Sequence, residues 1–171
     1  MSGEVRGLHI VVMGVAGCGK SGVGKRLAAL LDLPMIEGDD FHPAANKAKM
    51  AQGTPLDDAD RAGWLQALAV ELAARPQGAV LSCSALKAAY RDVLRSAFAS
   101  APDAVPHLKF IHLAITPEES LRRVAKRAGH FYPPSLVQSQ FDALQDPAAE
   151  RLVLVLLAHA TEFPDSPCYR G

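Results

Sequence analysis

The chain has 171 residues, 49% of them hydrophobic, which fits one domain spanning 1–171 with a sizeable core. Lys and Arg balance Asp and Glu at 18 each, and only 6% of residues are aromatic, so neither nucleic acid nor an anionic membrane is implied as a partner. The 3 cysteines (Cys18, Cys83, Cys168) show no metal-pair or disulfide spacing, and the apolar runs are too short for a signal peptide or a membrane span, so a soluble cytoplasmic protein is expected.

Leu8 to Met13 is a continuous apolar, β-branched run that predicts a strand buried on both faces. It leads into Gly14-Val15-Ala16-Gly17-Cys18-Gly19-Lys20-Ser21, whose spacing is that of a phosphate-binding loop. A helix over 21–31 follows, with Val23, Leu27, Leu30 and Leu31 on one face. Met35-Ile36 predicts a second strand, ending at the acidic stretch Glu37 to Asp40. Phe41-His42-Pro43 precedes a short helix ending near Met50, and Asp57 is placed to cap a longer one carrying Trp64, Leu65, Leu68 and Leu72. These helices, over 41–78, read as a substrate-binding insertion.

Ala79 to Cys83 predicts a third strand, with Ser84 a plausible cap for a helix over 85–98. Leu108 to Ile115 predicts a fourth. Thr116-Pro117-Glu118-Glu119 then signals a helix start, and that helix runs to about Arg127. A loop containing Gly129-His130-Phe131, a helix marked by Leu136, Val137, Gln140, Phe141 and Leu144, and a fifth strand over Leu152 to Ala158 complete the pattern. This alternation implies an α/β fold with a parallel sheet of about five strands and helices on both faces.

The chemistry begins at the loop. Residues Gly14 to Ser21 are expected to bind a nucleoside triphosphate, with successive backbone N–H groups and the helix start facing the anion. Lys20 supplies a charge for the β- and γ-phosphates, and the Ser21 hydroxyl is the expected Mg²⁺ ligand. Glu37, Asp39 and Asp40, at a strand's carboxyl end, should face that loop, where a carboxylate can accept a proton or hold Mg²⁺; forming the turn is their plainer role. The basic run Arg122 to Arg127 leads into the 127–135 loop and offers cations and a lid. Arg122 and Lys126 are read as a solvated face, whereas Arg123 and Arg127 are read toward the nucleotide.

The chain resembles the gluconate kinases over roughly residues 8–147. The resemblance rests on Gly38-Asp39-Asp40-Phe41-His42-Pro43, Asn46-Lys47, Lys49-Met50, Gly53, Pro55-Leu56-Asp57-Asp58, Asp60-Arg61 and Trp64-Leu65. It continues through Cys83-Ser84-Ala85-Leu86-Lys87, Tyr90-Arg91-Asp92, Gly129-His130-Phe131, Gln140-Phe141, Leu144-Gln145 and Pro147. It implies a P-loop kinase three-layer fold with a helical substrate insertion and a short lid, often a homodimer. The implied activity is ATP- and Mg²⁺-dependent phosphorylation of D-gluconate at its 6-hydroxyl. Asp39 is then the expected base or orienting carboxylate, and Lys20, Arg123 and Arg127 stabilise the moving phosphoryl group.

A sugar acid needs cations for its carboxylate and hydrogen-bonding groups for its hydroxyls. Lys49, Arg61, Lys87 and Arg91 are the candidate cations; His42, Ser84 and His130 are the candidate polar partners. Plainer roles stand beside them: His42 shaping a turn, Ser84 as a helix cap, Trp64 in the core and Lys47 in solvent. Glu37 stands where many relatives carry aspartate, and residues 161–171 depart from the helix that usually follows the last strand. A kinase for shikimate or a nucleoside monophosphate, and a catalytically impaired ATP-binding regulator, are the alternative readings.

Overall fold

A computed structural model describes residues 7–99, 108–126, 133–150 and 153–157. Arg127, His130 and most of the expected lid lie outside the described residues, as do Cys168 and the C-terminal stretch. The elements in order are β1 (Leu8–Met13), α1 (Lys20–Leu31), β2 (Met35–Glu37), α2 (Ala44–Ala51), α3 (Asp58–Ala73), β3 (Gly78–Ser82), α4 (Ala88–Arg95), β4 (Leu108–Ala114), α5 (Pro117–Ala125), α6 (Pro134–Ala143) and β5 (Val153–Leu157).

The strands form one five-stranded sheet in the order β2-β3-β1-β4-β5, with all four pairings parallel. β1 is central, which is why its sequence is apolar on both faces. Its alternation divides the core. Val11 and Met13 pack with Trp64, Leu68, Leu72 and Leu94 of α3 and α4, while Ile10 and Val12 pack with Ala28 of α1 and Phe141 of α6. The topology sends β1, β2 and β3 out of the sheet at the same end. Gly14, Gly38 and Ser84 follow those strands there, at the carboxyl edge where ligands of open α/β sheets bind.

Two helix starts follow the sequence signals. Asp57 accepts the Asp60 N–H at 2.7 Å and Asp60 accepts the Asp57 N–H at 3.0 Å, a complete capping box for α3. Thr116 Oγ1 accepts the Glu119 N–H at 3.2 Å, with Pro117 in the first turn of α5.

A third start differs. The helix expected over 85–98 begins only at Ala88, then tightens into a 3₁₀ turn over Ser96–Phe98. Its N-cap residue is Lys87, and Ala85 adopts a left-handed φ of 45°. Ser84 therefore caps no helix. The carbonyls of Ala85 and Leu86 are taken by Arg91, and the Ala88 N–H by Gln145 Oε1 at 2.7 Å, so tertiary partners replace the first turn.

Replacing Asp57 with alanine leaves the first turn of α3 without its side-chain acceptor. Asp57→Ala should lower unfolding stability by about 1 kcal/mol, read as a lower denaturant midpoint with an unchanged slope.

Candidate functional site

The phosphate loop is held by its neighbours on both sides. Lys20 begins α1, and Gly19, in a left-handed conformation, is its N-cap residue. The loop's first glycine leaves no room for a side chain: a Cβ on Gly14 would lie 2.7 Å from Cys18 Sγ and 2.9 Å from the Leu113 carbonyl oxygen. α5 presses on the loop from one side, where the Ser120 hydroxyl donates to the Ala16 carbonyl at 2.7 Å. α6 closes the other side, and the Ala16 N–H donates to Gln140 Oε1 at 2.6 Å. Lys20 Nζ donates to the Val15 carbonyl at 3.1 Å, which keeps the ammonium over the loop. Cys18 is buried, a packing residue of the loop.

Arg123 lies where the basic run was expected to meet the nucleotide. Its Nη1 donates to the Gly17 carbonyl at 3.4 Å and its Nε to Glu119 Oε1 at 2.6 Å. Glu119 also receives Arg122, and these guanidiniums, Arg122 first, hold its carboxyl down at about 2. The carboxylate thereby orients Arg123 over the loop.

Across the cavity, β2 ends in a 3₁₀ turn over Gly38–Phe41 that presents Asp39. The turn is pinned from beneath. The Trp64 indole N–H donates to the Gly38 carbonyl at 2.8 Å, from a side chain that is itself core. A Cβ on Gly38 would lie 2.2 Å from the Ser82 carbonyl oxygen, so only glycine allows β2 to leave the sheet so close to β3. Ser82 Oγ donates to Glu37 and accepts the Gly38 N–H at 3.4 Å, which fixes the Glu37 carboxylate at the sheet's edge.

His42 stacks on Trp64 with ring centroids 4.0 Å apart and planes 15° from parallel. Asn46 Nδ2 donates to the Asp60 carbonyl at 2.9 Å and reaches His42 Nδ1 at 3.3 Å. Nδ1 is thus an acceptor and the neutral ring carries its proton on Nε2. Burial lowers the His42 pKa, and Arg61 and Lys47 lower it further against the opposing pull of Asp39.

Lys20, Ser21, Asp39, His42, Arg61 and Ser84 all line one cavity of about 520 Å³. Its floor joins the two halves: the Gly14 N–H donates to the Ser84 carbonyl at 3.3 Å. Arg61 is positioned by the Leu56 carbonyl, 2.6 Å from Nη1, and by the Tyr90 ring, 5.4 Å from the guanidinium carbon.

The other expected cations are held elsewhere. Lys49 pairs with Asp60 at 2.8 Å and Lys87 with Asp58 at 2.9 Å, joining α2 and the start of α4 to the acidic first turn of α3. Arg91 is fully buried. Its guanidinium donates to the Ala85 and Leu86 carbonyls at 2.7 and 3.1 Å and to the Gln145 carbonyl at 3.1 Å, and it pairs with Glu150 at 2.6 Å. It reaches the interior, not the cavity. Of the candidate cations Lys87 and Arg91, the first meets a nearby carboxylate, Asp58, and the second lies in the core.

The cavity also includes Lys47, Met50, Trp64, Ser139 and Gln140. Lys47, Met50 and Ala51 share one side of α2 at helical spacing, a signal that the solvated reading of Lys47 passed over. Trp64 takes the core role expected for it and adds one the sequence did not show, an indole N–H on the turn that carries Asp39. Gln140 carries no local signal, because its partner lies 124 residues away. Cys83 is inert by contrast: burial pushes its thiol up to about 12.

Known proteins resemble this chain in sequence and fold. The family described as an AAA domain matches residues 10–150. The chain is similar to the thermosensitive gluconokinase of Escherichia coli (strain K12), 42% identical over 158 residues that span 91% of this chain and 79% of that protein. The crystal structure of a gluconokinase from Sinorhizobium meliloti 1021 is 44% identical, with a TM-score of 0.79 over 89% of this chain and 83% of that one. Shikimate kinase from Acinetobacter baumannii, solved with shikimate, is 16% identical, with a TM-score of 0.58 over 93% of this chain and 88% of that one, a likeness of fold alone.

The His42 environment has a consequence for acid stability. The ordinary histidine value is 6.5 and the folded value lies below it, so the unfolded chain takes up the proton first. Above pH 6.5 the residue contributes no pH dependence; as pH falls through 6.5 it destabilises the fold, and His112, also lowered by burial, adds to the effect. The thermal midpoint should fall between pH 7.5 and 5.5, and His42→Gln should narrow that fall. An equal fall in the variant would remove His42 from the account.

Proposed function

The chain belongs to the gluconokinase family of P-loop kinases, and from that membership we propose that it transfers the γ-phosphoryl group of ATP to the 6-hydroxyl of D-gluconate. One observation carries the reading: the phosphate loop and the Asp39 turn open into the same cavity. The acceptor half offers what a sugar acid requires, with Arg61 and Lys47 as cations and His42 and Ser84 as polar partners.

The roles divide by position. Backbone N–H groups of residues 14–21 and the Lys20 ammonium bind the donor phosphates. Arg123, aimed by Glu119, stabilises charge on the transferring group, together with Arg127. Asp39 orients the primary hydroxyl and takes its proton as the bond to phosphorus forms. A neutral His42 accepts from Asn46 through Nδ1 and keeps its Nε2–H as a donor to an acceptor hydroxyl or carboxylate. His130, by the resemblance, adds a polar contact from the lid over 127–135. Lys49 and Lys87 sit in exposed, solvent-screened ion pairs at the insertion, where a second carboxylate can compete for them.

Mg²⁺ belongs to the same proposal. Among the described residues no group of three or more His, Cys, Asp or Glu converges to hold a metal. By its place in the phosphate-loop motif, and on the cavity wall beside Lys20, Ser21 would be the protein's direct ligand, with nucleotide phosphates completing the set. Bound there, Mg²⁺ supplies neutralisation of the charge on the β- and γ-phosphates. The homodimer implied by the resemblance is part of this reading and is open to sedimentation. So is a cytoplasmic setting, which the phosphate-loop thiol of Cys18 suits.

A coupled assay of ADP release with gluconate, shikimate and nucleoside monophosphates tests the proposal. Gluconate should drive release, and Asp39→Asn should lower kcat about a hundredfold or more while ATP affinity holds. Release driven by another acceptor would reassign the substrate, and ATP binding without gluconate-dependent release would favour an ATP-binding regulator.

A further inference from the structure

Ala85 and Asp32 are the two non-glycine residues with positive φ among the described residues. Asp32 closes α1, where a left-handed residue is ordinary. Ala85 ends no helix and is fully buried. Its φ of 45° is a conformation that alanine avoids, so its surroundings must impose it.

The Leu86 carbonyl beyond Ala85 accepts the Gln145 N–H at 2.8 Å, and the side chain that closes on the bend itself is Arg91. A single nitrogen, Nη1, donates to both the Ala85 carbonyl at 2.7 Å and the Leu86 carbonyl at 3.1 Å. The second, Nη2, is anchored by the Gln145 carbonyl at 3.1 Å and by Glu150 at 2.6 Å. Glu150 is also held by Arg95 at 3.1 Å. The guanidinium is thus a rigid fork fixed at its far end and closed on the bend at its near end. That bend sets the direction of Ser84, which lines the cavity and whose carbonyl receives the Gly14 N–H of the phosphate loop. The same fork ties down the Gln145 backbone, a few residues beyond the Gln140 side chain that holds Ala16.

We propose that Arg91 is a positioning residue for the acceptor: its buried guanidinium imposes the left-handed bend at Ala85 and so sets the direction of Ser84 toward the acceptor half of the cavity. Arg91 touches neither substrate, and this role rests on the acceptor site proposed above. It accounts for a fully buried arginine within sight of a polar cavity that it does not enter.

The test is a rescue experiment in the full chain. Arg91→Lys keeps the charge but cannot span both carbonyls and both anchors. It should raise the gluconate KM about tenfold while leaving the ATP KM within about twofold. Adding Ala85→Gly to Arg91→Lys should recover most of that loss, because glycine adopts the bend without being forced. No recovery in the double variant, or an equal rise in both KM values, would overturn the proposal. Should Arg91→Lys fold poorly, Glu150→Gln carries the test. It removes the charge of one anchor and so loosens the fork: the gluconate KM should rise while the ATP KM holds, and Ala85→Gly should recover it; an unchanged gluconate KM would overturn the proposal. Failure of the functional reading is distinct, since it shows as absent gluconate-dependent ADP release in the parent chain.

Discussion

The hydrogen bond from the Trp64 indole to the Gly38 carbonyl joins the core of this protein to its cavity. Trp64 is 2% exposed and packs among Leu68, Leu72 and Leu94, so its ring cannot move without disturbing the sheet's packing. Its N–H nevertheless reaches the first residue of the turn that carries Asp39. Gly38 has no space to shift, because the Ser82 carbonyl lies against the position of a Cβ. Leaving the carbonyl unpaired would cost roughly 1–3 kcal/mol. Packing energy that folds the domain thereby also fixes the position of a carboxylate at the cavity's edge.

The donor side is held differently. The phosphate loop is clasped by later elements: Ser120 and Arg123 of α5, and Gln140 of α6. Both α5 and α6 thus touch the loop directly. A single backbone bond, Gly14 to Ser84, sets the donor loop against the third wall. The two halves of the cavity are therefore parts of one frame.

Much of the frame was legible in the sequence because its signals are local. The apolar run of β1, the glycine spacing of the loop, the Asp57 and Thr116 caps and the β-α alternation each act within a few residues, and each appears where expected. The site was legible only in part. Asp39, His42, Arg61 and Ser84 meet Lys20 and Ser21 in the cavity. Ser84, however, reads as a helix cap until the left-handed Ala85 and its fork at Arg91 are seen, and those bonds delay the helix to Ala88. Lys49, Lys87 and Arg91 look alike as cations in a sequence, yet Asp60, Asp58 and Glu150 claim them from other elements. Partners distant in the chain leave no trace in spacing, which is why Gln140 and the indole of Trp64 went unread.

The account's central claim is that the Trp64 N–H holds the turn on which the proposed base depends. Trp64→Phe keeps an aromatic ring in the core, removes that donor and leaves a small cavity, whose cost to stability is read separately from a denaturant midpoint. Measured with gluconate and ATP, the variant should lose about tenfold or more in kcat while its ATP affinity and folded state persist. An unchanged kcat in the folded variant would contradict the claim, and the position of Asp39 would then have to be set by something other than this bond.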